Sequence, residues 1–179
     1  MGLCPMLRVI RVVIVLILVW SAYWYAAGYG LRTGVSSWFE TQRARHWQAD
    51  YSEILTTGYP LRHRTLLSNP ALADPASGTA WQADWLELDS PAVWPGRQTL
   101  RFAATPQRLS HLDRHLTLTA ENMQALLYLK PGVALNLDQM ALTTGQWSLS
   151  GETDVVAQAE TLTLAMQQTD QANFYDIEI

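Results

Sequence analysis

Within His111-Leu-Asp-Arg-His115, three side chains able to hold a metal are spaced two residues apart. If the segment through Ala120 is one β-strand, alternation puts His111, Asp113, His115, Thr117 and Thr119 on one face and Leu112, Leu116, Leu118 and Ala120 on the other. Neighbouring ligands would then stand about 6.5 to 7 Å apart, at a rise of about 3.3 Å per residue. Zinc takes four donors at about 2 Å, so this row would serve only with a sharp bend or a fourth group from elsewhere, and no paired ligand motif lies nearby. The polar row therefore reads as a solvated strand face, and the isolated His46 and His63 as surface or hydrogen-bonding residues.

Gly28-x-Gly30-x-x-x-Gly34, with Asp50 and Glu53 beyond it, superficially resembles a dinucleotide-binding loop. Such a loop must leave a buried strand and open a helix of a parallel α/β unit, whereas this one follows a membrane-length apolar run. The sequence contains no Gly-x-Ser-x-Gly elbow, no His-Glu-x-x-His and no Walker loop. No side chain is assigned a catalytic role, no metal or cofactor is expected, and the chain is read as a non-enzyme.

The elements that would position any site begin with residues 12–30, VVIVLILVWSAYWYAAGYG. Arg11 and Arg32 bracket twenty uncharged residues, and at about 1.5 Å each these span roughly 30 Å, the thickness of a bilayer's hydrocarbon core. Arg8 and Arg11 precede the run without an acidic residue, which keeps the N-terminus in the cytoplasm and sends the remainder across. Trp20, Tyr23, Trp24 and Tyr25 then fall near the outer interface. A cleaved signal peptide is the rival reading, but the only tolerable small-x-small triplet, Ala26-Ala27-Gly28, is crowded by those aromatic residues. Cys4, the sole cysteine, precedes the run, so the exported part can form no disulfide of its own.

Residues 31–47 read as a juxtamembrane helix with Leu31, Val35, Trp38 and Phe39 on one side, able to rest on lipid or on a sheet. Beyond Asp50, Pro and Gly punctuate short segments, and apolar residues alternate in the second half. The expected fold is mainly β: a curved antiparallel meander preceded by one transmembrane helix and the juxtamembrane helix, with residues 1–30 as stub and anchor, 31–49 as the second helix and 50–179 as the exported domain. So little helix is available that the apolar sheet face must close into a core, pair with a second sheet or hold an apolar ligand. In the last case Leu116, Leu118, Leu135, Leu137, Leu162 and Leu164 would line the groove, and a membrane lipid is the expected occupant.

Sixteen acidic residues, all beyond Gly30, face ten basic ones there. That balance does not suit nucleic acid as a partner. From His115 onward Lys130 is the only basic residue against eight acids, which reads as a solvated face.

Several blocks resemble a bacterial envelope family catalogued as domain of unknown function 2125: Trp47-Gln-Ala-Asp-Tyr51, Gly58-Tyr-Pro-Leu-Arg62, Leu72-Ala-Asp-Pro-Ala-Ser-Gly-Thr-Ala-Trp81, Val93-Trp-Pro-Gly-Arg-Gln-Thr-Leu100 and Ala104-Thr-Pro106. Two departures are a shorter stretch between the Trp81 and Trp94-Pro95 blocks, and a chain that stops mid-strand by pattern at Ile179, as a short member or a fragment would. The resemblance implies a single-pass protein of the bacterial inner membrane with a periplasmic domain and carries over no catalytic residue. More loosely, the alternating tail is similar to AsmA-like envelope proteins, whose curved sheets offer a groove to acyl chains. An envelope protein partner, recruited by strand addition at the edge formed by residues 175–179, is the alternative expectation.

Overall fold

The computed structural model describes residues 3–94, 96–129, 137–168 and 175–178. Its only α-helix among these, α1, runs from Leu3 to Ala44 without a break. The apolar run and the segment after it are thus one rod of 42 residues, about 63 Å long at 1.5 Å per residue. Gly28, Gly30 and Gly34 lie inside it. It stops where His46 takes the left-handed conformation (φ 68), leaving the Thr41 and Gln42 carbonyls bonded by the Arg45 and Trp47 amides. Residues 48–49, expected to be helical, already belong to the first strand.

Fifteen strands follow among the described residues: β1 (Gln48–Asp50), then the hairpins β2 (Glu53–Thr57) with β3 (Arg62–Ser68), β4 (Ala71–Asp74) with β5 (Thr79–Gln82), β6 (Trp85–Pro91) with β7 (Arg97–Phe102), β8 (Gln107–His111) with β9 (Arg114–Ala120), β10 (Gln124–Leu129) with β11 (Leu137–Thr144), β12 (Trp147–Ser150) with β13 (Val155–Ala159), and β14 (Leu162–Gln168) with β15 (Tyr175–Glu178). All pairings are antiparallel. Successive hairpins alternate between a seven-stranded sheet, ordered β1-β4-β5-β8-β9-β12-β13, and an eight-stranded one, ordered β15-β14-β11-β10-β7-β6-β3-β2.

The two orders describe a single object. Each strand of one sheet continues after a few residues into a strand of the other, so β3 with β4, β5 with β6, and so on through β13 with β14 are long bent legs. Along the chain the legs form a simple up-and-down meander folded along one crease, which realises the expected curved meander as two sheets. Hydrogen bonding persists through the crease: Asn69 N–H to the Asp84 carbonyl (2.8 Å), Ala83 to Pro70 (3.1 Å), Ala103 to Trp85 (3.3 Å) and Gly145 to Glu121 (2.8 Å). Asn69 and Asn122 bend it with positive φ, a conformation asparagine tolerates.

The crease is also where the chain buries itself most completely. Ala83, Ala103, Ala120, Ala125, Gln107 and Thr144 are all buried there, small side chains that let the two arms of each leg approach. Gln107 bridges the bend: its amide accepts from the Trp81 indole (2.9 Å) and donates to the Ala103 carbonyl (3.4 Å). The other buried cluster forms where α1 reaches the crease, with Phe39 against Ala49, Leu67, Val35, Tyr51, Ile54, Leu72 and Leu86.

The segment through His111 and His115 is not one strand. It is the β8–β9 hairpin, with Leu112 at φ 53 in a two-residue turn. His111 therefore shares a face with Gln107 and Leu109, while His115, opposite Ser110, lies on the other. The expectation of one polar row fails because the chain reverses between the two histidines.

Candidate functional site

Register assigns every strand a face. In the seven-stranded sheet Ala49, Leu72, Trp81, Leu109 and Leu116 form one cross-strand row, with Leu118 opposite Leu149 and Ala120 opposite Trp147 on the same side. In the eight-stranded sheet Ile54, Leu67, Leu86 and Phe102 form one row, and Leu88, Leu100, Ala125, Leu142 and Leu164 another. Both apolar faces lie inside the crease, since the Trp81 and Phe102 rings meet edge to face at 6.5 Å and Phe39 touches Leu72 of one sheet and Leu67 of the other. The result is a two-walled trough.

One end of the trough is occupied by α1. Trp24 stacks on His63 at 4.8 Å, and the His63 ring nitrogen lies 3.1 Å from the Trp24 carbonyl. Gly28 is buried facing Thr56 and His63, leaving just enough room for a methyl group. Farther up, Val35 and Phe39 pack on the sheets while Trp38 is exposed, so the stripe read as lipid- or sheet-facing faces the sheet.

From β7 onward the inner face is less fully covered among the described residues. Leu100, Phe102, Leu127, Met140, Leu142 and Met166 are all only half-buried, as is Leu149 on the opposing wall. In a sealed two-sheet core, large inward side chains on central strands would lose contact with water entirely. Here the residues buried from β7 onward are small ones and Gln107, at the crease, together with Gln98 on the inner side of β7.

Of the expected groove residues, Leu116 and Leu118 lie on the inner face of β9, and Leu162 and Leu164 on that of β14; each is half-buried. Leu137 comes opposite Leu129 through a register shift that restores it to the inner face. Leu135 lies outside the described residues. The sequence reading missed the inner residues of β7 and β10, and Met140 and Leu142, whose alternation was detectable. It also missed Trp24 and Phe39, which occupy the trough.

Cavities lie on outer sheet faces and, beside Tyr29 and Arg32 of α1, against β2. One of about 870 Å³ spans the polar side of the seven-stranded sheet, with Arg43, Arg108 and His115 at its wall. On the outer side of the eight-stranded sheet Asp89, 2% exposed, accepts from Arg62 Nε (2.7 Å) and Arg101 Nη1 (3.1 Å), and Arg101 also reaches Glu87 (2.8 Å). Burial pushes the Asp89 carboxyl up, but the hydrogen bond and charge of Arg62, joined by those of Arg101, outweigh it and hold the group below its ordinary range. The hydrogen bond to Asp89 in turn raises the Arg62 guanidinium. These ions tie β3, β6 and β7 together. Among the described residues no three metal-ligating side chains converge; His111 instead contacts the Thr79 hydroxyl at 3.1 Å.

No curated protein and no solved structure matches the chain. A family model described as "Uncharacterized protein conserved in bacteria (DUF2125)" matches residues 24–179, from the ring that stacks on His63 through all fifteen strands, and on that match the chain belongs to the DUF2125 family.

Proposed function

We propose that this protein is a membrane-tethered, non-catalytic module of the bacterial envelope that holds or passes a lipid, with α1 crossing the inner membrane and the folded meander on the periplasmic side. The observation that carries the reading is the inner face from β7 to β14, where apolar rows from two walls stay half-exposed because the one helix ends its cover after the first legs. Leaving such surface in water costs about 25 cal/mol per Å², which an acyl chain lying in the trough would recover. The Trp147 indole N–H adds a polar handle: it is buried on this side without a hydrogen-bond partner, and a lipid ester carbonyl would satisfy it.

Native mass spectrometry of the detergent-extracted protein, followed by extraction and identification of co-purifying lipid, tests this directly. Leu118→Trp with Leu142→Trp would fill the trough without adding charge and should displace the lipid while the domain stays folded. Leu118→Asp separates the readings further: a trough loses its lipid, whereas a closed core unfolds. Wild-type protein that carries no lipid and takes up none from mixed micelles would count decisively against the proposal.

A second reading has its own observation. β13 and β15 are edge strands of the two sheets, and Val155 and Val156 on β13 are 55% and 58% exposed. Such edges accept a partner's strand. A photocrosslinker at Tyr175 or Val156 that captures no envelope protein in intact cells would remove it.

A further inference from the structure

The membrane run and the domain overlap. Of the twenty uncharged residues between Arg11 and Arg32, three from Trp20 on are already bonded to the domain: the Trp20 indole donates to the Pro60 carbonyl (3.0 Å), the Tyr23 hydroxyl to Ala92 (2.8 Å) and the Trp24 indole to Arg62 (2.9 Å). Their acceptors lie in or beside the turns of the β2–β3 and β6–β7 hairpins. From Arg11 to Trp20 the helix rises only about 13 Å, against a hydrocarbon core of about 30 Å. If α1 crosses the bilayer, these turns cannot all stand clear of it.

Their chemistry suits that position. Residues 58–61 and 92–94 contain no Asp, Glu, Lys or Arg, and they expose Leu61 (71%), Val93 (68%) and Trp94 (59%). Loops are excluded from lipid chiefly by their unpaired backbone groups. Here the carbonyls of Pro60, Arg62 and Ala92 are taken by the α1 donors, Leu61 O by the Ala92 amide, and Gly58 O by the Arg62 amide. Gly58 is required for this wrapping, because at φ +100 an added Cβ would sit 2.8 Å from the Arg62 carbonyl oxygen. The equivalent turns of the seven-stranded sheet carry polar or charged residues, Ser77, Asp113, Glu152 and Asp154, although Leu112 is exposed beside Asp113.

We infer that the turns at 58–61 and 92–94 are embedded in the outer leaflet of the bilayer that α1 spans, so that this end of the trough meets lipid directly. Arg97, the first residue after the second turn to enter a strand, lies over the Tyr128 ring at 5.6 Å and stands where phosphate headgroups would be. The inference rests on α1 being a membrane span, and it deepens the lipid proposal by naming the leaflet as the source.

Single cysteines carrying a nitrobenzoxadiazole dye, placed in a Cys4→Ser background of the full chain in phosphatidylethanolamine–phosphatidylglycerol vesicles, provide the test. Labels at Leu61→Cys and Val93→Cys should emit blue-shifted, be quenched by doxyl-lipid and show several-fold weaker iodide quenching than a label at Glu40→Cys, which lies about 30 Å up the helix from Trp20. A label at Val15→Cys reports the helix itself. If Val15 is shielded while Leu61 and Val93 are open to iodide, embedding is wrong and the anchor stands; if Val15 is also open to iodide, the anchor reading fails and the inference with it.

Discussion

The first legs of the meander and the later ones both turn apolar side chains inward near the crease but are covered differently. At the first end α1 lies against the inner face, and Phe39 and Leu67 are buried completely. At the other, Leu142 and Leu164, inward on β11 and β14, keep part of their surface in water. The difference follows the cover more than the strands, although the inner positions of β2 and β3 nearest their turn are Thr56, His63 and Thr65. It comes from α1, which can cover only as much sheet as one rod touches. A two-walled fold with one cover piece is a core at one end and an opening at the other.

Substitutions in the two ends sharpen or break this contrast. Phe39→Ala, in the covered end, should cost about 3–5 kcal/mol in chemical denaturation and loosen α1 from the sheets, seen as protease cleavage within residues 31–44. Asp89→Asn, on the outer face of the same end, should cost about 2 kcal/mol at neutral pH, a value tempered by the solvent around its arginine partners. Because the folded carboxyl is held low, its contribution is complete above the ordinary carboxylate value of about 4 and is lost as pH falls through the lower folded-state value. Wild type and Asp89→Asn should therefore converge in stability on acidification.

Leu142→Ala, in the uncovered end, should cost only about 1 kcal/mol, since the deleted atoms were partly wet. A loss equal to that of Leu67→Ala would mean that the later legs are sealed, and the contrast would disappear. The smallest effect belongs to Trp147→Phe, which should leave stability within about 0.5 kcal/mol while reducing the lipid that co-purifies.

Much of the architecture is legible in the residues alone. The apolar helix follows from residues 12–30, and the meander from period-two runs such as Leu116-Leu118-Ala120. The crease is not, because its marks are ordinary alanines and two asparagines whose backbone conformation does not appear in composition. The reversal at Leu112 was hidden for a similar reason: a leucine at positive φ is not a turn signal. Nor could the stripe of Val35 and Phe39 declare its partner, since lipid and sheet reward the same side chains. The site is legible as a set of inward leucines, yet which stay uncovered depends on where α1 stops.

The up-and-down order of the legs makes the trough a counted object. Eight adjacent strands leave seven gaps of about 4.8 Å, a reach of roughly 34 Å along the inner wall. Adding or deleting one out-and-back pair of legs would change that reach in steps of about 10 Å and leave the cross-section as it was. Length of the trough and chemistry of its wall are thereby separate variables, the first set by how many times the chain turns back and the second by which residues face inward.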